Sequence, residues 1–179
     1  MLDALITSKT RIKLLLKFFI NSNHSSYLRN LETEFGESSN AVRVELNRFE
    51  KAGLLNSFTK GNRKYYKANA LHPLFIDIHN IIMKYVGIDQ IIENVAKKLG
   101  DLDKVFLNGD FAKGQDNGII DLVFVGESIN KPYLMKLVER AEKFVTHKIR
   151  YLVYSPGEFI SQMSRVEDGE VLLLWKAEK

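Results

Sequence analysis

The 179-residue chain contains no cysteine. A disulfide framework and thiolate metal sites are therefore excluded, and the absence fits a reducing compartment. No apolar run is long enough to cross a bilayer. The stretch Leu14–Ile20 is interrupted by Lys17 and falls well short of the roughly 20 residues that a span needs. No leader-like segment is visible at the N-terminus, so the expectation is a cytoplasmic protein without a membrane partner. His24, His72, His79 and His147 are scattered without metal spacing, and no metal site is expected. No Ser/His/Asp constellation or Walker-type loop occurs, nor any internal repeat or low-complexity segment. No cofactor is expected.

What is present is enough apolar material, 45% of residues, for one large core or two small ones. The formal net charge of +4 is unevenly spread. Residues 1–70 hold 12 Lys/Arg against 6 Asp/Glu, while residues 71–179 hold 14 against 16. A cationic first part beside a near-neutral second part suggests that the first meets a polyanion.

Periodicity predicts a helix over 8–21, with Leu14, Leu15, Phe18 and Phe19 as its apolar stripe and Lys13 and Lys17 on another face. The cluster Ser22–Ser26 reads as a loop, and Tyr27–Phe35 as a short helix stopped by Gly36. Ser38 is a good N-cap for a third helix. Val42, Leu46 and Phe49 face its core side, Asn40, Arg43, Asn47 and Lys51 project elsewhere, and Gly53 ends it. Leu54–Thr59 and Lys64–Ala68 read as a hairpin, with one ring of Tyr65-Tyr66 facing the core. Its tip is Lys60-Gly61-Asn62-Arg63, where Gly61 and Asn62 suit positive φ. Residues 73–86, opened by Pro73, and 88–99 read as helices. Beyond Asp101, strands at 104–107, 119–125, 148–154 and 171–175 alternate with helices at 131–144 and 158–164. That is the pattern of a small α/β domain, with Trp175 expected in its core.

The first part resembles the winged helices of ArsR-like transcription regulators over roughly residues 6–86. The resemblance is carried by Thr10–Leu15, Tyr27–Leu31, Ala41–Leu46, Phe49–Leu55 and Gly61–Tyr66. It implies a DNA-binding unit and, through the helix after the wing, a homodimer. Arg43 can fork onto a guanine edge, and Asn40 or Asn47 can pair with adenine. Ser38, Ser39, Arg48 and Lys51 suit phosphates. Lys60, Arg63 and Lys64 suit the backbone or minor groove beside the wing.

The second part resembles the nucleotidyltransferase superfamily at Phe106–Gly114 and Ile120–Gly126. Active members of that family carry Gly-Ser followed by Asp-x-Asp, with a third carboxylate from a later strand. Here Asp110 stands at the Ser position, Ile119 at the first Asp, and Arg150 near the third carboxylate. Only Asp121 survives, and one carboxylate is a poor Mg²⁺ site. Asp121 is expected to be hydrogen-bonded to a neighbouring loop instead. The resemblance implies a vestigial nucleotide pocket at Gly109, Asp110, Lys113 and Asp121, without catalytic residues. Regulators that join the two parts form a bacterial and archaeal type, which Tyr151–Phe159 also resembles.

The expected fold class is α+β / α/β. It comprises a winged helix-turn-helix domain (1–70), a helical connector and dimerisation segment (71–100), and a small mixed-sheet nucleotidyltransferase-like domain (101–179). The expected function is sequence-specific regulation of transcription by a homodimer on double-stranded DNA, with a nucleotide or protein effector at the inactive second domain. The alternative is an active Mg²⁺-dependent nucleotidyltransferase targeted by its winged helix.

Overall fold

The computed structural model describes residues 2–163 and 171–177. It is a mixed helix and strand structure with two separate sheets. The chain divides into two compact units, Met1–Tyr85 and Val86–Lys179. The division falls inside the 71–100 segment read from sequence as a connector.

Unit 1 runs α1 (Leu2–Leu5), α2 (Lys9–Phe19), β1 (Ser25–Tyr27), α3 (Leu28–Phe35), α4 (Ser39–Lys51), β2 (Leu55–Lys60) and β3 (Arg63–Ala68). It continues into α5 (Phe75–Val86). Two helices start on serine caps. Ser8 Oγ accepts from the Arg11 amide and Ser38 Oγ from the Ala41 amide, each at 3.2 Å, which satisfies one otherwise orphaned donor per helix. Helix α4 stops in a Schellman pattern. The Leu54 amide donates to the Phe49 carbonyl at 2.9 Å and the Gly53 amide to the Glu50 carbonyl at 3.0 Å, so the last carbonyls are not left bare.

Leu14, Phe18, Phe19, Leu31, Val42, Leu46 and Leu55 are buried and form the core of unit 1. Each such side chain contributes about 1.5–3 kcal/mol on leaving water. Because Val42, Leu46 and Phe49 share one stripe of α4, Arg43, Asn47 and Lys51 are left on the exposed side.

Several local expectations change. The Ser22–Ser26 loop ends in a strand: β1 pairs antiparallel with β3 through Ser25↔Lys67, Ser26↔Tyr66 and Tyr27↔Tyr65. The helix expected to begin at Tyr27 therefore begins at Leu28. Lys17, off the apolar stripe of α2, is nonetheless withdrawn from solvent. It is buried, and its ammonium donates to Glu34 Oε2 at 2.9 Å. At the hairpin tip only Gly61 takes positive φ, at 60°, and Asn62 does not. A two-residue turn with glycine first needs left-handed backbone at that position alone. Helix α5 starts at Phe75 and not at Pro73, which lies in the preceding turn.

Unit 2 carries α6 (Ile88–Asn94), a 3-10 turn at Ala96–Lys98, β4 (Lys104–Asn108), α7 (Gly109–Ala112), β5 (Ile119–Val125), α8 (Lys131–Ala141), β6 (Lys148–Tyr154), α9 (Pro156–Met163) and β7 (Leu172–Lys176). The expected continuous helix over 88–99 thus breaks after Asn94, and the short α7 was not foreseen. Helix α8 stops at Ala141, before the expected Phe144. Ser164, the expected end of α9, lies outside the described residues. The strand order is β6-β5-β4-β7. Strands β4 and β5 are antiparallel, β4 and β7 antiparallel, and β5 and β6 parallel. Helix α8 is the crossover that the parallel pair needs. Val105, Leu107, Ile120, Leu122 and Phe124 are buried, with Ile88 and Ile91 of α6 and Leu134, Leu137 and Val138 of α8. Trp175, expected in the core, is half-buried on the edge strand β7.

Candidate nucleic-acid interface and the pocket of the second unit

Unit 1 spends its carboxylates on only part of its cations. Glu45 accepts from Arg11 Nε at 2.9 Å and from Arg48 at 2.9 Å. Glu37 accepts from Lys13, and Glu34 from Lys17. Glu50 accepts from Lys64 at 2.8 Å and from the Ser57 hydroxyl. The hydrogen bond from Lys64, then that from Ser57, hold the Glu50 carboxyl below its usual value despite some burial. Among the described residues, Arg29, Arg43, Lys51, Lys60, Arg63 and Lys67 make no ion pair. Lys9 of α2 and Lys84 of α5 likewise make none, and the rest of the unpaired basic charge lies on α4, the start of α3 and the hairpin.

Four of the sequence-selected residues come together. Arg43 and Asn47 of α4, with Arg63 and Lys64 of β3, line a cleft of about 570 Å³. Its other walls are Tyr27, Leu28, Arg29, Leu46 and Tyr66. Tyr27 and Arg29 were not selected from sequence. The available signal was charge, since Arg29 is the single cation of α3. The Arg63 guanidinium lies 4.6 Å from the Tyr27 ring centroid and donates to its hydroxyl at 3.2 Å. Its direction is thus set by a ring as well as by the strand.

The remaining selected residues do not line the cleft. Ser38 is exposed and spends its hydroxyl on the cap, Ser39 is half-buried, and Asn40 is exposed beside them. Lys51 and Lys60 are exposed at the end of α4 and at the hairpin tip. Arg48 is committed to Glu45; Lys64, which does line the cleft, is committed to Glu50.

In unit 2, Asn108, Gly109, Asp121, Leu122, Arg150, Tyr151 and Leu152 line a pocket of about 480 Å³. Asp121 and Arg150 are register partners on β5 and β6. Arg150 Nε donates to Asp121 Oδ1 at 2.7 Å, and a terminal nitrogen donates to Oδ2 at 2.8 Å. The expected partner of Asp121, a neighbouring loop, is thus replaced by a strand arginine that takes both carboxylate oxygens. This contact holds the Arg150 pKa above its ordinary value.

Asp110 accepts from the Asn117 side chain at 3.0 Å. Lys113 is half-buried after α7 and does not line the pocket. Asp116 accepts from the His147 ring at 3.0 Å. That hydrogen bond, with one from the Gly118 amide, outweighs burial and keeps the Asp116 carboxyl below its usual range. Among the described residues, no cluster of three or more His, Cys, Asp or Glu side chains could hold a metal ion.

No protein-family model matches the chain, and no curated protein matches it. Solved structures give distant likenesses. A candidate nucleotidyltransferase from Sulfolobus solfataricus is 26% identical, over 54% of this chain and 85% of that one, with a TM-score of 0.37. The antimony-specific transcriptional repressor AntR is 18% identical, over 49% and 69%, with a TM-score of 0.34. The transcriptional regulator BldR from Sulfolobus solfataricus is 12% identical, over 54% and 70%, with a TM-score of 0.37. Among the described residues, no helix is long and apolar enough to cross a membrane.

Proposed function

We propose that the chain is a DNA-binding regulator of transcription acting as a homodimer in the cytoplasm. In this reading unit 1 is a winged helix of the ArsR-like type, and unit 2 is a nucleotidyltransferase-like domain without catalytic activity. The observation that carries the reading is the cleft between α4 and the hairpin. It places Arg43 and Asn47 beside Arg29 and Arg63, in a unit where Glu34, Glu37, Glu45 and Glu50 are already paired with other cations. Arg43 and Asn47 carry forks that match guanine and adenine edges in the major groove. Arg29, Arg63, Lys51 and Lys60 neutralise phosphates, which sets register and makes affinity fall with salt.

The inactivity of unit 2 rests on Asp121. Its two oxygens are occupied by Arg150, Ile119 stands where a second metal carboxylate belongs, and Asp110 would repel a nucleotide phosphate. The unit is left with a sensory or structural role, in which a nucleotide or a protein is the effector.

A binding-site selection from random duplexes, followed by titration at rising salt, tests the reading. We expect a selected site to bind at least tenfold more tightly than random duplex, with affinity falling linearly in log salt. Arg43→Ala should cost about 1–3 kcal/mol on the selected site and much less on random duplex. Equal loss on both would reduce Arg43 to a phosphate contact, and failure to select any site would overturn the regulator reading.

A further inference from the structure

The sheet of unit 1 has a second face. Tyr66 and Ala68 point into the core, at 6% and 5% exposure, so the strand alternation sends Arg63, Tyr65 and Lys67 to the opposite side. Register then builds three cross-strand rows there. Tyr27, Tyr65 and Phe58 form the middle row. Ser25, Lys67 and Asn56 lie on one side of it, and Arg63 and Lys60 on the other.

The rings of the middle row touch. Tyr27 meets Tyr65 edge to face at 5.3 Å, and Tyr65 stacks on Phe58 at 5.7 Å with 16° between planes. Arg63 adds its guanidinium over Tyr27. Phe58 is 44% exposed, so the row is open to solvent. No strand of this sheet contains an Asp or Glu.

A contiguous aromatic row bordered by cations on both sides is the chemistry that holds an unpaired strand. Each base offers a π-face to the rings, and the phosphates run along the cations. A duplex cannot use such a row, because its base faces are stacked on one another. We propose that the outer face of this sheet, centred on Phe58, Tyr65 and Tyr27, is a stacking platform for single-stranded DNA. The platform stands on the register and ring geometry alone. The choice of DNA over RNA rests on the regulator reading: Arg63 borders both this face and the duplex cleft, so the strand within reach is one peeled from the bound DNA.

Fluorescence anisotropy on the full chain tests this, with labelled oligothymidylate, oligouridylate of equal length and a random duplex as probes. We expect oligothymidylate to bind with a salt-dependent affinity. Phe58→Ala and Tyr65→Leu should each weaken it about tenfold, leave duplex affinity within about twofold, and keep the native circular dichroism spectrum. Phe58→Trp, which restores a ring, should bind as the parent does. Arg43→Ala should show the reverse pattern, losing specific duplex and keeping oligothymidylate. The proposal is overturned by absent oligothymidylate binding, by unchanged affinity in the two ring variants, by equal loss on duplex and single strand, or by tighter binding of oligouridylate. Failure of the regulator reading shows separately, in the duplex titration of the unaltered chain.

Discussion

Glu45 is buried between α2 and α4, with Arg11 on one oxygen pair and Arg48 alongside. Burial pushes its carboxyl up. The Arg11 hydrogen bond and charge, the Ser8 hydrogen bond and the Arg48 charge together outweigh that, and the carboxyl lies below its ordinary value. A depressed carboxyl stabilises the fold above the unfolded glutamate pKa of about 4.3, and the gain is lost as pH falls through the lower folded value. Glu45→Gln should therefore lower stability at neutral pH by about 1–2 kcal/mol, a figure discounted because Arg11 is partly exposed. The gap from the parent should close as pH drops below about 4. Urea denaturation across pH measures this, and a pH-independent gap would mean that packing, not charge, is lost. Asp121 makes the second argument at this scale. Its partner Arg150 sits where a metal ion would need room. Incubation with Mg²⁺ and labelled nucleotides should give no transfer to the chain, to RNA or to small acceptors. Arg150→Ala should not restore transfer, because one carboxylate remains. Transfer that disappears in Asp121→Ala would reverse the assignment.

At the scale of elements, the lesson is which signals act locally. The stripe Val42, Leu46 and Phe49 shows from spacing alone which side of α4 is buried, and Ser38 with Gly53 marks its ends through hydrogen bonds made within a few residues. Strand β1 was not legible. Three residues, two of them serine, carry no periodicity, and what makes them a strand is the distant edge of β3. That miss hid Tyr27, and with it both the wall of the cleft and the end of the aromatic row. The burial of Lys17 was not legible for a related reason, since its half-buried partner Glu34 lies on another helix. The pocket of unit 2 was legible at Gly109 and Asp121, but Arg150's grip depended on a parallel register that no local pattern encodes. Gly109 shows how tightly the β4–α7 turn is built there. It has φ +69°, and a Cβ would lie 2.8 Å from Asp121 Oδ2. Gly109→Ala carries about 1–2 kcal/mol of left-handed strain, and the displaced carboxylate should bring the total to about 2–3 kcal/mol. A loss no larger than the strain itself, about 1–2 kcal/mol in chemical denaturation, would show that the carboxylate yields freely.

At the scale of the molecule, one short helix face is left without enough cover. Leu74, just before α5, is 54% exposed and Ile81 is 46% exposed. They lie on one side with half-buried Ile78, at helical spacing. Solvated apolar groups on one helix stripe are costly unless a partner covers them, and a second copy can cover them self-complementarily about a two-fold axis. The regulator reading needs the same arrangement, because two α4 helices roughly one DNA turn apart read two half-sites. Dimerisation also raises the number of phosphates neutralised in one event, so its loss is visible in the salt dependence as well as in mass. Sedimentation equilibrium on the parent should give a dimer at micromolar concentration. Leu74→Asp and Ile81→Asp should shift it to monomer, because each would bury a charge at the interface. The same variants should weaken binding to a two-half-site duplex by at least tenfold and reduce the slope of log affinity against log salt by about half, as half the phosphate contacts are lost. Their binding to a single half-site should be unchanged, since neither residue touches the cleft. A parent that sediments as a monomer on and off DNA would remove the dimer, and the symmetric operator with it, while leaving the cleft to act on one half-site.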